Sequence, residues 1–499
     1  MLYTSTRNNK LRVSASQAIA QGISDDGGLF VPCDLPHYSL EKIGDMINMS
    51  YIDRAKTVLS DFLTDFTDKE LDYCVKGAYK KGKFSSDKIA PVVNVHDNEN
   101  ILELWHGPTC AFKDMALQLL PYLMTVSANK TAGGKEIVIL VATSGDTGKA
   151  ALEGFKDVKN TRILVFYPVH GVSPMQKLQM TTQEGSNVAV CAINGNFDDA
   201  QNAVKSIFTD YDLKVELESK NMMFSSANSI NWGRLVPQIV YYFSAYADMV
   251  EQGRIKLGDT INVVVPTGNF GNILAGFYAK KMGLPIKKLV CASNSNNILT
   301  DFITTGEYNK NREFYTTSSP SMDILISSNL ERLLYHLSGN DDEYVKSLMN
   351  ALNDNGVYKV KPELLAEIQK YFAAGFSDES AVFATIKEQY EKYNYLCDTH
   401  TTVAVSVYED YIIQNVDDIP TVIDSTASPY KFSKSVLTAI LGENTPNLDE
   451  FDMVKELNKV TSVDIPKPIK ALKNKKQRFD KNVCDKENMS EMVFKLLNL

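Results

Sequence analysis

The middle of the chain alternates short apolar runs with stretches of helical periodicity. From residue 92 the apolar runs are VVNV, ILEL, EIVILVAT, RILVFYP, NVAVCAI, INVVVPT and KLVCAS. Strands buried on both faces are apolar throughout, and parallel strands need helical crossovers between them. The pattern therefore predicts βαβ units and an α/β fold built on mainly parallel sheets.

The flanking segments have a different pattern. Residues 1–90 are predicted to be a mainly helical N-terminal domain that ends in the charged stretch YKKGKFSSDKIAP. Residues 306–395 are polar and show helical periodicity in SSNLERLLYHL and ELLAEIQKYF, which predicts a helical insertion. Apolar runs return at 401–408 and 420–424, and the charged tail with KNKKQR is interpreted as a solvated surface.

The length of 499 residues exceeds the roughly 250–300 at which a single core stops growing, so several domains are expected. We expect an N-terminal domain at 1–90, a large domain built from 91–130 and 215–465, a small α/β domain at 131–214, and a C-terminal extension at 466–499.

Composition and charge narrow the class of protein. Apolar residues make up 44% and charged residues 23% of the chain, as in ordinary globular proteins. The net charge of −9 argues against nucleic acid or an anionic membrane as partners, so an anionic ligand must be held by local donors. Seven scattered cysteines, and the lack of a signal-like or membrane-spanning run, lead us to expect a cytoplasmic location and no structural metal.

The first segment with candidate chemistry is ELWHGPTCAFKD, residues 103–114. Gly107 and Pro108 mark a turn, and Lys113 comes just before the apolar helical stretch MALQLLPYLM. In a site lined by Trp105 and Phe112, the ammonium would be desolvated, and the neutral amine could condense with a carbonyl. The alternative is a solvated lysine in the first turn of a helix.

The second segment is VATSGDTGKAALEGF, residues 141–155, where an apolar run meets a Ser/Thr/Gly loop and then a helix. Backbone N–H groups at such a helix start suit a phosphate or carboxylate. A nucleotide P-loop is excluded because Thr143 and Ala150 stand where that motif needs Gly and Ser or Thr. A purely structural capping loop, with Asp146 and Thr147 as ordinary capping residues, remains an alternative.

The third segment is VVVPTGNFGNILAGFYAKKMG, residues 263–283. Its two loop glycines allow the backbone to form a concave nest for a phosphate, although a tight strand-to-helix connection would look the same. The pattern lacks the third glycine of a Rossmann fingerprint. Together, a reactive lysine, one anion loop for a cofactor phosphate and another for a substrate acid group are what an enzyme dependent on pyridoxal 5'-phosphate (PLP) requires.

These segments resemble the threonine synthases, a family of fold-type II PLP enzymes, and most closely its long microbial and fungal class. The resemblance covers most of the chain in the family's order. It is carried by YTSTRN, SASQAIAQGISDDGGLFVP, ELWHGPTCAFKD, SGDTG, NSINWGRLVPQ, PTGNFGN, SPSMDI, SSNLERLLY, DTHTTVAV and DSTASPYKF.

The resemblance implies a tryptophan synthase β-like fold, with twisted parallel sheets and a large PLP domain. It makes Lys113 the Schiff-base lysine and Thr426 the hydroxyl that faces the pyridine nitrogen. The PLP-phosphate cradle is expected at Gly268, Asn269, Phe270, Gly271 and Asn272. The substrate is expected at Ser144, Gly145, Asp146, Thr147, Asn228, Ser229 and Arg234, of which Arg234 could also be a helix surface residue.

The activity implied is conversion of O-phospho-L-homoserine and water to L-threonine and phosphate. The alternatives are another fold-type II lyase, such as threonine dehydratase or a cysteine synthase-like enzyme, and a noncatalytic PLP-binding homologue. The long N-terminal domain and the insertion disfavour the former, and the intact Lys113 and loops disfavour the latter. The sequence leaves open whether the protein is a monomer or a homodimer, and whether His106 transfers protons or only orients its turn.

Overall fold

The structure is a computed structural model that describes residues 1–143, 145–170, 172–195 and 197–498. Its strands are β1 (Tyr3–Ser5), β2 (Asn8–Val13), β3 (Phe30–Pro32), β4 (Val92–His96), β5 (Glu99–Glu103), β6 (Glu136–Ala142), β7 (Thr161–Pro168), β8 (Val188–Asn194), β9 (Met222–Ser226), β10 (Ile261–Pro266), β11 (Ile286–Ser293), β12 (Glu307–Asn309), β13 (Val357–Lys359), β14 (Phe372–Phe376), β15 (Thr421–Ser425) and β16 (Val483–Asp485).

Helices lie between and around these strands. They are α1 (Ala15–Gln21), α2 (Leu40–Asp45), α3 (Tyr51–Phe62), α4 (Asp68–Ala78), α5 (Asp114–Leu117), α6 (Leu120–Thr131), α7 (Asp146–Phe155), α8 (Pro174–Thr181), α9 (Phe197–Thr209), α10 (Tyr211–Ser219), α11 (Trp232–Glu251), α12 (Gly271–Lys281), α13 (Ile298–Thr305), α14 (Leu330–Leu337), α15 (Asp342–Asn355), α16 (Pro362–Tyr371), α17 (Glu379–Tyr393), α18 (Thr399–Asn415), α19 (Ser433–Leu441), α20 (Glu450–Thr461), α21 (Lys467–Leu472) and α22 (Met489–Leu497). Among the described helices, none has the length and apolar character needed to cross a membrane.

Two mainly parallel sheets form the α/β part of the molecule. The larger sheet has the order β14-β11-β10-β15-β5-β4, and it is parallel except for the edge strand β4. The smaller sheet, β16-β8-β7-β6-β9, is parallel throughout. Apolar residues fill β10 and the middle of β6, as expected for strands covered on both faces. The predicted α/β fold is confirmed.

Strands lie in three regions where the sequence patterns indicated mainly helix or surface. The N-terminal region contains the predicted helices together with an antiparallel sheet of order β2-β1-β3. Strand β14, from within the polar insertion, pairs with β11 at the edge of the larger sheet. Strand β16, from the charged tail, pairs with β8 at the edge of the smaller one.

The buried helix α11 holds the parts of the molecule together. It packs against α3 of the N-terminal region and against α5 and α12 of the larger sheet's layer. The loops that follow β5, β10 and β15 lie at one edge of the larger sheet, because neighbouring parallel strands end on the same side. The loop after β6 faces them from the smaller sheet, and the candidate site lies between these loops.

Candidate active site

Lys113 lies in the turn between β5 and α5. Its side chain is 12% exposed; Nζ donates a hydrogen bond to Ser321 Oγ at 3.2 Å and lies 3.9 Å from Asp146 Oδ2. Burial lowers the pKa of Lys113 to about 8; the charge of Asp146 opposes this, and the charges of Lys431 and Arg234 add to it. A far larger fraction of this amine is uncharged at neutral pH than of a solvated lysine.

Hydrogen bonds within the turn fix the direction of Lys113. The two carboxyl oxygens of Asp114 accept hydrogen bonds of 2.8 Å from the backbone N–H and the hydroxyl of Thr109. The chain passes so close at Gly107 that a Cβ there would lie 2.4 Å from Asp114 Oδ2. Only glycine fits this approach, so the G-P-T-C-A-F-K-D sequence sets where α5 begins and where Lys113 points.

The same turn is joined to the end of β15, which leads to Thr426. The backbone N–H of Phe112 donates to Thr426 O at 2.8 Å, and that of Ser428 donates to Cys110 O at 3.1 Å. Thr426 is 6% exposed, and within the described part of the chain no hydrogen bond is recorded for its hydroxyl. This hydroxyl lies beside the Lys113 turn and is free to meet a ligand.

The loop between β10 and α12 forms a cradle. Gly268 O accepts a hydrogen bond of 2.8 Å from Ser327 Oγ, and a Cβ at Gly268 would lie 2.6 Å from Ser321 O. Phe270 is buried in a left-handed conformation, with a φ of 62°. Within the described residues no side chain caps the start of α12, so the N–H groups of its first turn are free to bind an anion.

Asn272 connects this cradle to the larger sheet. Its Oδ1 accepts hydrogen bonds from the hydroxyls of Tyr241 and Tyr242, and the Tyr242 hydroxyl lies 2.8 Å from Asp424 Oδ2 on β15. Burial raises the pKa of Asp424 to about 7 despite its contacts with Tyr242 and Asn272. Asn272 Nδ2 makes no close hydrogen bond to a described residue.

Asp146 faces Lys113 from the smaller sheet. Its Oδ1 accepts hydrogen bonds from Lys431 Nζ at 2.5 Å and Gln176 Nε2 at 3.0 Å. Burial alone would raise the pKa of Asp146, but the charges of Lys431 and Lys113 hold it well below its usual range. A Cβ at Gly145, which has a φ of 142°, would lie 2.4 Å from the Gln176 side chain, so only glycine fits before Asp146.

The rest of this loop offers backbone donors. Gly145 precedes α7, and Thr147 is half-buried in the first turn of the helix. The hydroxyl of Thr143 accepts hydrogen bonds of 2.9 Å from the backbone N–H groups of Gly145 and Gly148. The N–H group of Thr147 has no partner among the described residues, so it is the donor that this helix start leaves for an anion. Ser144, predicted as a substrate residue, lies outside the described residues.

Arg234, near the start of α11, is a buried cation with few partners. It is 3% exposed; its Nη1 donates to Ala227 O at 2.5 Å, and its Nε has no partner in the described part of the chain. Burial lowers the pKa of Arg234 to about 10. Asn228 and Ser229 are half-buried in the loop that leads to this helix. A buried guanidinium without a carboxylate partner is costly unless an anion binds it.

Four residues of the site were not singled out from the sequence: Ser321, Asp398, His400 and Lys431. Ser321 Oγ contacts Lys113, and the Ser321 backbone N–H donates to His400 Nε2 at 3.1 Å. The proton of His400 is therefore on Nδ1, which donates to Asp398 Oδ2 at 2.8 Å. Lys431 contacts Asp146, as described above. They lie in SPSMDI, DTHTTVAV and DSTASPYKF, so the family-like segments contained the signal without indicating which residues face Lys113.

His106 has a structural environment. Its Nε2 lies 2.8 Å from Glu103 Oε2, its Nδ1 lies 2.7 Å from Ser85 Oγ, and its ring stacks on Trp105 with centroids 4.4 Å apart. Both ring nitrogens are thus engaged by side chains, those of Glu103 and Ser85.

Comparison with known proteins gives three family matches along the chain. The profile described as "Threonine synthase N terminus" matches residues 2–79, "Pyridoxal-phosphate dependent enzyme" matches 101–415, and "Threonine synthase, C-terminal" matches 401–493. The middle profile covers more than half of the chain and includes the Lys113 turn and the cradle.

Individual relatives agree. The threonine synthase of Saccharomyces cerevisiae is 36% identical, over 97% of this chain and 98% of its own. A PLP-bound threonine synthase from Brucella melitensis has a similar structure, with a TM-score of 0.86 and 36% identity over 100% of both chains.

The human protein "Threonine synthase-like 1" is 39% identical over 90% of this chain, which spans 59% of that relative's length. The family profiles, the relatives and the fold agree, and the chain belongs to the threonine synthase family of PLP-dependent enzymes.

Proposed function

We propose that this protein is a threonine synthase, which converts O-phospho-L-homoserine and water to L-threonine and phosphate. The observation that carries the proposal is the weakly basic, buried amine of Lys113, which lies near the uncapped start of α12 and near Arg234, whose Nε has no partner among the described residues. One amine for an aldehyde and several donors for anions fit a phosphorylated cofactor and a phosphorylated substrate.

The residues at the site fit PLP. The close approach at Gly268 and the open start of α12 suit its phosphate, Lys113 suits its aldehyde, and the free hydroxyl of Thr426 suits its pyridine nitrogen. Asn269, Phe270, Gly271 and Asn272 complete the cradle. When bound, PLP supplies an electron sink that stabilises negative charge at the carbon atoms next to the substrate nitrogen.

Lys113 Nζ is the proposed base that removes and returns protons of the substrate. Its lowered pKa keeps a useful fraction of the amine neutral, and Ser321 Oγ at 3.2 Å orients the nitrogen. A hydroxyl at the pyridine nitrogen, in place of a carboxylate, would not hold that nitrogen protonated.

The substrate's acid groups are assigned to the donors that lack partners. Arg234 would bind the leaving phosphate, with Asn228 and Ser229 beside it and with the backbone N–H group of Thr147 at the start of α7. Gly145 would contribute by letting the backbone of this loop come close to the substrate. The carboxylate of Asp146 would repel an anion, so we assign its side chain to the electrostatic interactions with Lys431 and Lys113. Ser144 is proposed as a substrate-binding residue on the basis of the sequence pattern alone.

The proposal also covers the domain boundaries, the location and the partners of the protein. We assign domains to residues 1–90, 91–130 with 215–465, 131–214 and 466–499. We expect the enzyme to act in the cytoplasm as a monomer or homodimer, without nucleic-acid or membrane partners, in keeping with its net charge of −9.

The test is to incubate the purified protein with PLP and O-phospho-L-homoserine and to quantify phosphate and amino acids together. We expect phosphate and L-threonine in equal amounts, and neither from Lys113→Ala. Phosphate with a keto acid would indicate a dehydratase-like lyase, and PLP binding without turnover would indicate a noncatalytic homologue; either result would contradict the proposal.

A further inference from the structure

Lys431 is a second buried lysine at the site. It lies in the short 3-10 helix Pro429–Phe432 and is 0% exposed. Its Nζ lies 2.5 Å from Asp146 Oδ1 and donates to Thr109 O at 3.2 Å, in the turn that carries Lys113. Lys431 thus contacts both the loop of the smaller sheet and the turn of the larger one.

Around Lys113, the positively charged side chains outnumber the carboxylates. Within the described residues, Asp146 is the one carboxylate in ion-pair distance of either lysine, 2.5 Å from Lys431 Nζ and 3.9 Å from Lys113 Nζ. Of the two lysines, only Lys431 lies within hydrogen-bond distance of Asp146, and electrostatic attraction falls with distance. A single carboxylate in a site that excludes water can neutralise one cation well. Asp146 lies closer to Lys431 than to Lys113, so we infer that Asp146 neutralises Lys431.

The other groups that face the pair do not change this balance. Arg234 on α11 is a cation with no carboxylate in ion-pair distance among the described residues, and its charge disfavours a further positive charge nearby. Asp114 on α5 has both oxygens bound by Thr109. The remaining groups nearby are Cys110 in the turn, the Lys149–Glu153 ion pair on α7, and His400 on α18, whose ring accepts from the backbone of Ser321.

We propose that Lys431 is a positioning residue for Lys113: by pairing with Asp146 it leaves the Lys113 amine uncharged and able to react with an aldehyde. The lone pair of a neutral Nζ can add to the aldehyde carbon of PLP, after which one water leaves; a protonated Nζ has no lone pair for this step. The inference rests on the proposed attachment of PLP to Lys113 and adds what keeps that lysine reactive.

The test measures how fast PLP becomes attached to Lys113 in the full-length chain freed of cofactor, over a range of pH. The attached product is trapped with cyanoborohydride and quantified on the Lys113 peptide by mass spectrometry. In the unaltered protein the rate should rise with pH around the lowered pKa of Lys113, about 8.

In Lys431→Gln, Asp146 loses its lysine partner, and its negative charge then stabilises the protonated form of Lys113. The midpoint of the pH profile should rise by about one unit or more, which makes capture near neutral pH about tenfold slower. Lys431→Arg keeps the charge and should keep the midpoint. Lys149→Gln removes a buried lysine that is paired with Glu153, and it should leave the midpoint where it is.

A double variant, Asp146→Asn with Lys431→Gln, covers the case in which Lys431→Gln alone does not fold. If the two groups neutralise each other, removing both should move the midpoint by less than about half a unit. If Asp146 instead serves as the counter-ion of Lys113, the midpoint should fall by about one unit or more, which would overturn the proposal.

The proposed function and the role of Lys431 predict different outcomes of this experiment. No attachment at Lys113 in the unaltered protein would contradict the proposed function. Attachment there with the same midpoint in Lys431→Gln would leave the proposed function standing and contradict the positioning role of Lys431.

Discussion

At the scale of single residues, the site depends on which charges lack partners. The local sequence around Lys113 is equally compatible with a solvated lysine, because its burial and the approach of Asp146 depend on segments far apart in the chain. The cradle loop was predictable from its glycines, whereas Lys431 and Ser321 were not, because neither lies in a pattern that specifies contact with Lys113.

Arg234 gives a prediction at this scale. Arg234→Met keeps the length of the side chain but removes the charge and the free Nε, so kcat/KM for O-phospho-L-homoserine should fall about a hundredfold, equivalent to about 3 kcal/mol. Inorganic phosphate should raise the Tm of the unaltered protein and not that of the variant. An unchanged kcat/KM would mean that another group binds the substrate phosphate.

At the scale of secondary-structure elements, the long apolar runs were predictable and the short strands were not. Strands β6, β7 and β10 are buried on both faces and stand out in the sequence. Strand β14 (FAAGF) and β16 (VCD) are short edge strands whose existence depends on pairing with distant strands, so local patterns do not reveal them.

The cradle glycines differ in the space around them, which allows a paired test. A Cβ at Gly268 would lie 2.6 Å from Ser321 O, whereas one at Gly271 would lie 3.4 Å from Asn329 Nδ2. Gly268→Ala should therefore lower the free energy of unfolding by about 1–3 kcal/mol, and Gly271→Ala should change it by less than about 1 kcal/mol. Denaturant unfolding without cofactor checks this; equal effects would contradict the crowding at Gly268.

The buried Asp424 makes the junction of β15, α11 and α12 sensitive to pH. Burial raises its pKa from 3.8 to about 7, so the folded protein keeps a proton there that the unfolded chain releases. This contribution to stability is full below about pH 4 and is lost as the pH rises to about 7.

Asp424→Asn has no carboxyl group to ionise. Its free energy of unfolding at about pH 8 should exceed that of the unaltered protein by on the order of 2 kcal/mol, with the difference shrinking toward about pH 5. Asp418→Asn, at an exposed position, is the control and should show no such dependence. A difference that stays constant with pH would refute the assignment.

At the scale of the whole molecule, the site forms where the edges of two sheets meet, and the tail completes the smaller one. Strand β16 pairs with β8, and α22 buries Met489, Val493 and Leu497 against this sheet. The charge of the tail correctly indicated an exposed face, but the apolar positions of MSEMVFKLL also indicate a helix with a buried side.

A point substitution measures how far the tail supports the smaller sheet. Val493→Ala should reduce the free energy of unfolding by about 1–3 kcal/mol, because it removes buried methyl groups. Lys495→Ala, on the exposed side of the same helix, should change it by no more than about 0.5 kcal/mol. Equal and small effects in thermal unfolding would mean that α22 adds little to the fold.

The reaction proposed for this protein replaces the phosphate of O-phospho-L-homoserine with water at a different carbon atom. The most direct measurement runs the reaction in heavy-oxygen water and determines the label in both products by mass spectrometry. We expect L-threonine with one heavy oxygen in its side-chain hydroxyl and phosphate without label, because the carbon–oxygen bond breaks. Labelled phosphate with homoserine would show hydrolysis at phosphorus and would contradict the claim.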